Sequence, residues 1–246
     1  MLWCLHGFFG SAHDFDGFDF GVEKECLDFF TADVPTRNDF PFKECRESLK
    51  RFAKEFNHYV RTRDKNPSLL GYSLGGRLAL HALLDDPELW KKTVIISAHP
   101  GLCTEAEKQE RAAADLHLAK RFLCENLAAL RSEWEKNALF GGFRITREEI
   151  QFSRNTLSQA LISWSLAEQQ DLLPQLSDLQ NDVLWVVGER DEKFLELGEK
   201  ACQVMPGSRF CVIPQASHRA PWQQQQFFEE CVRNFLCHHE EAELTW

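Results

Sequence analysis

Short apolar runs alternate along the chain with longer stretches in which apolar side chains recur every three or four positions. LWCL at the N-terminus, FFTADVP, SLLGYS, TVIIS near Val94, DVLWVVG and RFCVIP read as strands. Phe42 to Val60, the stretch from Leu74, Phe194 to Val204 and about Trp222 to Leu236 read as helices. Strands and helices taken in turn build a mostly parallel sheet covered on both faces. Between about residues 102 and 173 the rhythm changes: helical periodicity persists, as in EKQERAAADLHLAKRFLCENLAALRSEW, without a convincing strand. One α/β domain with an inserted helical cap over about 102–173 is therefore expected. LWCL starts at Leu2, so the strands that usually open such a sheet are missing and the sheet should be small.

The stretch LLGYSLGGRLAL, Leu69 to Leu80, joins a predicted strand to a predicted helix through one serine flanked by glycines. A turn that sharp leaves no room for side chains two positions either side of its tip, where Gly71 and Gly75 stand. This is the G-x-S-x-G nucleophile elbow of the α/β-hydrolase fold, with Ser73 exposed above the sheet. The motif is short, and a glycine-rich turn with a helix-capping serine is the plain alternative. Chain order supports the elbow, because α/β-hydrolases carry serine, acid and histidine in that sequence. Asp191 follows the strand LWVVG and His218 follows FCVIP, both just past strand C-terminal ends, where such sheets place ligands. Glu189 and Glu192 are rival acids, with the post-strand turn favouring Asp191. In this fold one oxyanion donor comes from the loop after the first strand and the other from the residue after the serine, which assigns the amides of Phe8 and Leu74. His6 then reads as a structural residue of that loop. Arg77 lies four residues after Ser73 on the same helical face, so its guanidinium leans back toward the serine, although a salt bridge explains it equally well.

Composition narrows the partners. The 246 residues are 43% hydrophobic and 27% charged, enough for a large globular core. A net charge of -10 removes the positive face that nucleic acid or an anionic membrane requires. No apolar run reaches membrane-spanning length and MLWCLHGFFG lacks a signal-peptide pattern, so a cytoplasmic protein is expected, a monomer with oligomers left open. Nine cysteines without a C-x-x-C pair read as reduced thiols packed as small hydrophobes. Cys237, His238 and His239 read as the solvated end of the last helix. Neither a metal nor a cofactor is called for.

GYSLGGRLAL, LHGFFGS, PGL followed by ERAAADLHLAKRF, Arg154-Asn155 with Ala160-Leu161, and GERDEKF together resemble the 2-succinyl-6-hydroxy-2,4-cyclohexadiene-1-carboxylate synthases of menaquinone biosynthesis, from about Leu5 to about Ala220. The resemblance implies a lyase that eliminates pyruvate from 2-succinyl-5-enolpyruvyl-6-hydroxy-3-cyclohexene-1-carboxylate, with Ser73, His218 and Asp191 acting as a general base. It implies that Arg77, Arg111 and Arg154 bind the carboxylates of this small anionic substrate, that Tyr72 hydrogen-bonds it, and that Trp134 lines the site from the cap. Taken alone, Arg111 and Arg154 are ordinary solvated helix charges, and Tyr72 and Trp134 ordinary packing residues. The chain departs from the pattern at Ser217, where glycine is usual, and in RAPW, which lacks a second histidine after His218. Two other readings remain at this stage: a serine hydrolase of esters or carbon–carbon bonds with Ser73 as nucleophile, and a non-catalytic binding protein on the same scaffold.

Overall fold

The computed structural model describes residues 1–30, 47–145 and 152–237. Six strands form one parallel sheet in the order β2-β1-β3-β4-β5-β6. They are β1 (Leu2–Leu5), β2 (Lys24–Leu27), β3 (Ser68–Tyr72), β4 (Thr93–Ile96), β5 (Val183–Gly188) and β6 (Ser208–Ile213). Burial on both faces explains why the central strands are runs of apolar residues rather than alternations. Successive side chains part to opposite faces. Trp3, Leu5, Leu69, Ile95, Trp185 and Val187 join one core cluster, while Leu2, Cys4, Leu70, Val94, Val186 and Ile213 join the other.

The first face is covered by α1 (Leu49–Arg61), α2 (Leu74–Asp85) and, after β5, α7 (Glu192–Val204). In α1, Phe52, Phe56, Tyr59 and Val60 recur at helical spacing and are buried, and Ser48 caps the start by accepting from the Arg51 amide. The second face is covered by the aromatics Phe15, Phe18 and Phe20 and by α9 (Gln225–Cys237), which follows a short α8 (Ala220–Gln223). Between β4 and β5 run α3 (Glu105–Cys124), α4 (Leu127–Trp134), α5 (Arg154–Ser163) and α6 (Leu173–Leu176). A capping box of Thr104 and Glu107 starts α3.

One strand was not among those expected. FFTADVP was expected to be a strand, but β2 lies earlier, at Lys24–Leu27, and Thr31 to Pro35 fall outside the described residues, as do Phe42 to Arg46 of the expected first helix. The residues KECL are only half covered, because β2 is an edge strand paired with β1 alone. Polar residues suit that place and hide the strand from a search for apolar runs.

The strand order fixes where a site can form. From β1 the chain steps outward to β2 and then returns to the other side as β3, so the loops leaving β1 and β3 diverge above the sheet. That divergence opens a crevice at the strands' C-terminal ends, where ligands bind in sheets of this kind.

Candidate active site

Ser73 stands at the crevice, between β3 and α2, with φ 54 and ψ -109. A non-glycine residue is strained in that region, and such strain persists only where the surroundings enforce it. Here the Ser73 amide donates to the Ile96 carbonyl at 2.8 Å, and α2 lies hard against the sheet. A Cβ on Gly71 would sit 2.4 Å from the Gly75 carbonyl oxygen, and one on Gly75 only 2.1 Å from that of Leu5. The elbow exists because those two positions lack side chains.

The loops after β5 and β6 complete a line of three groups. His218 Nε2 is 3.0 Å from Ser73 Oγ, and His218 Nδ1 is 2.7 Å from Asp191 Oδ2. Asp191 and His218 are almost completely buried. With Nδ1–H donating to the carboxylate, Nε2 is left as the acceptor for the hydroxyl proton. The rival acids point elsewhere: Glu189 accepts from the Gln215 amide at 2.7 Å, and Glu192 is exposed at the start of α7.

Phe8 and Leu74 both line the cavity beside Ser73. Leu74 opens α2, where first-turn amides have no acceptor within the helix. Phe8 belongs to a turn closed by the Gly10 amide on the Gly7 carbonyl, with Phe9 at φ 60. His6 holds this loop: its Nε2 accepts from the Phe29 amide at 3.1 Å, so Nδ1–H donates to the Gly7 carbonyl at 2.8 Å.

The cavity measures about 410 Å³ and is lined by Ser73 and His218 and, from the β4–β5 segment, by Trp134, Phe140, Leu161 and Trp164. Tyr72 lines it too, its ring 5.5 Å from that of His218. Trp134 packs edge-on against Phe8, 5.3 Å between centroids. Four cations reach the cavity, Arg77, Arg111, Lys193 and Arg219, and they differ in what they hold.

Arg77 is buried, and its guanidinium donates to the Trp164 carbonyl at 2.6 Å and to Gln169 Oε1 at 3.3 Å, both neutral acceptors. Burial, with the charge of Arg111 added, pushes its pKa down to about 9, while Asp115 acts in the opposite sense. Arg111 pairs with Asp115 at 2.8 Å, and Asp115 also accepts from the Ser165 hydroxyl. Lys193, exposed at the start of α7, has no ion-pair partner among the described residues.

His99 sits among these charges. Its Nδ1 accepts from the Gly101 amide at 3.1 Å, so the neutral ring carries its proton on Nε2. Burial first, then the charges of Lys193, Arg77 and Arg111, hold its pKa down at about 4. The cavity is therefore positive on a chain that is negative overall, which favours an anion.

Arg154 is not brought to this cavity. It opens α5 and donates to the carbonyls of Phe122 and Glu125 at the end of α3. Carbonyls there lack helix partners and carry the negative end of the helix dipole, so they hold the guanidinium. The structure therefore does not bring Arg154 together with the other expected substrate-binding residues around the cavity. Lys193 and Arg219 also line the cavity, and no motif pointed to them as site residues. Position alone could have found Lys193, which lies two residues after Asp191 on the same post-strand turn, whereas no sequence signal marked the partner of Arg219.

Among the described residues no group of three or more histidine, cysteine, aspartate or glutamate side chains is placed to hold a metal ion. No helix among them is long and apolar enough to cross a membrane.

The profile of the alpha/beta hydrolase family matches residues 4–230. The chain is 30% identical to the "Putative 2-succinyl-6-hydroxy-2,4-cyclohexadiene-1-carboxylate synthase" of Bacillus subtilis (strain 168), over 95% of this chain and 89% of the relative. It is 32% identical to the 2-succinyl-6-hydroxy-2,4-cyclohexadiene-1-carboxylate synthase of Serratia proteamaculans (strain 568), over 68% of this chain and 67% of the relative. Among solved structures, MenH from S. aureus superposes with a TM-score of 0.83 at 22% identity, covering 96% of this chain and 92% of that one, a likeness of fold. By its family profile, its relatives and its elbow, the chain belongs to the alpha/beta hydrolase family, in the group whose curated members are named 2-succinyl-6-hydroxy-2,4-cyclohexadiene-1-carboxylate synthases.

Proposed function

We propose that the chain is a carbon–oxygen lyase that eliminates pyruvate from 2-succinyl-5-enolpyruvyl-6-hydroxy-3-cyclohexene-1-carboxylate, giving 2-succinyl-6-hydroxy-2,4-cyclohexadiene-1-carboxylate, in the cytoplasm. One observation carries this reading: a serine aligned for proton transfer opens into a cavity where Arg77, a buried cation, has only neutral acceptors. A substrate with several carboxylates supplies the missing negative charge, and a neutral ester does not.

In the proposed step Ser73 Oγ takes a ring proton while its own proton passes to His218 Nε2. The electron pair of the broken C2–H bond forms a C2–C3 double bond, the existing C3–C4 double bond shifts to C4–C5, and the C5–O bond breaks to expel the enolpyruvyl oxygen. Protonation of the released enolate at carbon gives pyruvate. Asp191 steadies the imidazolium, and the amides of Phe8 and Leu74 meet the charge that develops on a substrate carbonyl or carboxylate. Arg77, Arg111 and Lys193 hold the carboxylates, Tyr72 and the His99 Nε2–H offer neutral hydrogen bonds, and Trp134 closes over the ring. The helical segment between β4 and β5 serves as the cap.

The test is turnover of the enolpyruvyl precursor, followed by pyruvate release and diene absorbance. Ser73→Ala is expected to lower kcat by about 10² to 10⁴ with the fold intact, the range of a positioned general base. Rapid hydrolysis of small neutral esters by a protein that ignores the precursor would instead identify a serine hydrolase and end the proposal.

A further inference from the structure

Arg219 follows His218 directly, in the loop after β6. Its side chain is 3% exposed, and every polar contact of its guanidinium is made with one short segment of the β4–β5 region. It forms a two-pronged ion pair with Glu135, Nη1 to Oε2 and Nη2 to Oε1, the latter at 3.0 Å. Nη1 also donates to the Phe143 carbonyl at 2.9 Å, and the guanidinium carbon lies 3.7 Å from the ring centre of Phe140. Such stacking adds cation–π attraction to the ion pair.

The segment so gripped is a strap. It leaves α4 at Glu135, makes a 3-10 turn at Ala138–Phe140 and bends at Gly141 and Gly142, φ 55 and 76, before Phe143. Asn137, Leu139 and Phe140 line the cavity from this strap. The loop holds it in two further places: the His218 amide donates to the Leu139 carbonyl at 3.3 Å, and a Cβ on Gly141 would lie 3.1 Å from that of Ser217. Ser217 is itself tied by its amide and hydroxyl to Gln223 Oε1 at 2.7 and 2.8 Å. Residues 217 to 219 and the strap thus share one connected set of contacts beside the imidazole.

We propose that Arg219 is a positioning residue, which through Glu135 clamps the strap onto the histidine loop, keeps His218 Nε2 within reach of Ser73 Oγ and fixes one wall of the cavity. This rests on the reading of Ser73 and His218 as the reacting pair. Glu135→Gln removes the carboxylate charge at constant size and leaves a buried guanidinium without it, a change that loosens such contacts strongly. The strap then detaches for part of the time, and the imidazole loses its fixed geometry.

Glu135→Gln, Arg219→Met and Arg219→Lys are to be compared by precursor turnover, thermal melting and amide hydrogen exchange of residues 135–145 and 214–222. Glu135→Gln is expected to lower kcat about tenfold with KM changed less than threefold, and to raise exchange in both segments while β4 and β5 stay protected. Arg219→Lys, which keeps the charge and loses the fork, is expected to fall between wild type and Arg219→Met. Should Arg219→Met fail to fold, Glu135→Gln carries the comparison. A folded Glu135→Gln with wild-type kcat, or one that loses activity while strap and loop exchange stays unchanged, overturns the clamp. An inactive wild type instead overturns the assigned reaction, and the exchange data then still decide on the clamp.

Discussion

Replacing Arg77 by methionine removes a buried charge whose protein acceptors are both neutral. The drop of its pKa to about 9 corresponds to about 5 kcal/mol of unfavourable charge burial, a ceiling because the cavity admits water. Against this stand two hydrogen bonds from a charged donor, each worth about 1.5–3 kcal/mol. The terms nearly cancel, so Arg77→Met should change the stability of the ligand-free protein by no more than about 1–2 kcal/mol in either direction, in urea unfolding at pH 7. Hydrogen-bond loss alone would give about 3–6 kcal/mol of destabilisation. Activity should respond very differently, with kcat/KM for the precursor falling by at least about 10²-fold as a desolvated carboxylate contact is lost. A polycarboxylate product should raise the melting temperature of wild type and leave that of the variant nearly unchanged. A variant destabilised by more than about 3 kcal/mol, or one that keeps its kcat/KM, would refute the reasoning that this cation is held ready for an anion at the fold's expense.

The elbow can be tested sterically: Gly75→Ala puts a Cβ 2.1 Å from the Leu5 oxygen and should cost more than about 3 kcal/mol in chemical unfolding, whereas Gly17→Ala, with nothing within 4 Å, should stay within about 0.5 kcal/mol. Acid should weaken the fold through His81 and His99, whose pKa values burial lowers from 6.5 to about 4. The unfolded chain binds more protons between those values, so this stability is fully present above about pH 6.5 and is lost as pH falls toward 4, by at most about 3 kcal/mol per histidine. Denaturation midpoints at pH 7 and pH 4.5 should show a shallower decline for His81→Leu, and an unchanged decline would contradict the assignment.

The apolar central strands and the elbow were legible because each depends on residues close in sequence. LWCL, SLLGY, TVII and VLWVVG are buried on both faces, and a run of apolar residues is the direct imprint of that environment. Chain order pointed to Ser73, Asp191 and His218, which the folded loops bring within hydrogen-bond distance of one another, and only those loops separate Asp191 from Glu189 and Glu192. β2 was not foreseen, because an edge strand needs few apolar residues. The positions of the arginines were the least legible: helical periodicity assigns Arg154 a face but not the neighbour on that face, which proved to be the end of α3. Arg219 and Glu135 are far apart in the chain, and neither carries a local sign of the other.

The parallel neighbours β4 and β5 are separated in the chain by all the helices from α3 to α6. During synthesis, the first four strands and the strained serine turn are complete once Ile96 has emerged, with the apolar edge of β4 still bare. The strands that carry the aspartate and histidine loops arrive only after the whole intervening segment, so long-range closure delays the meeting of Ser73 with Asp191 and His218. A ribosome-bound chain therefore shows Ser73 without Asp191 and His218 for about half of the chain's length, and a bare sheet margin for the earlier part of that interval, which is when a chaperone has the most to protect.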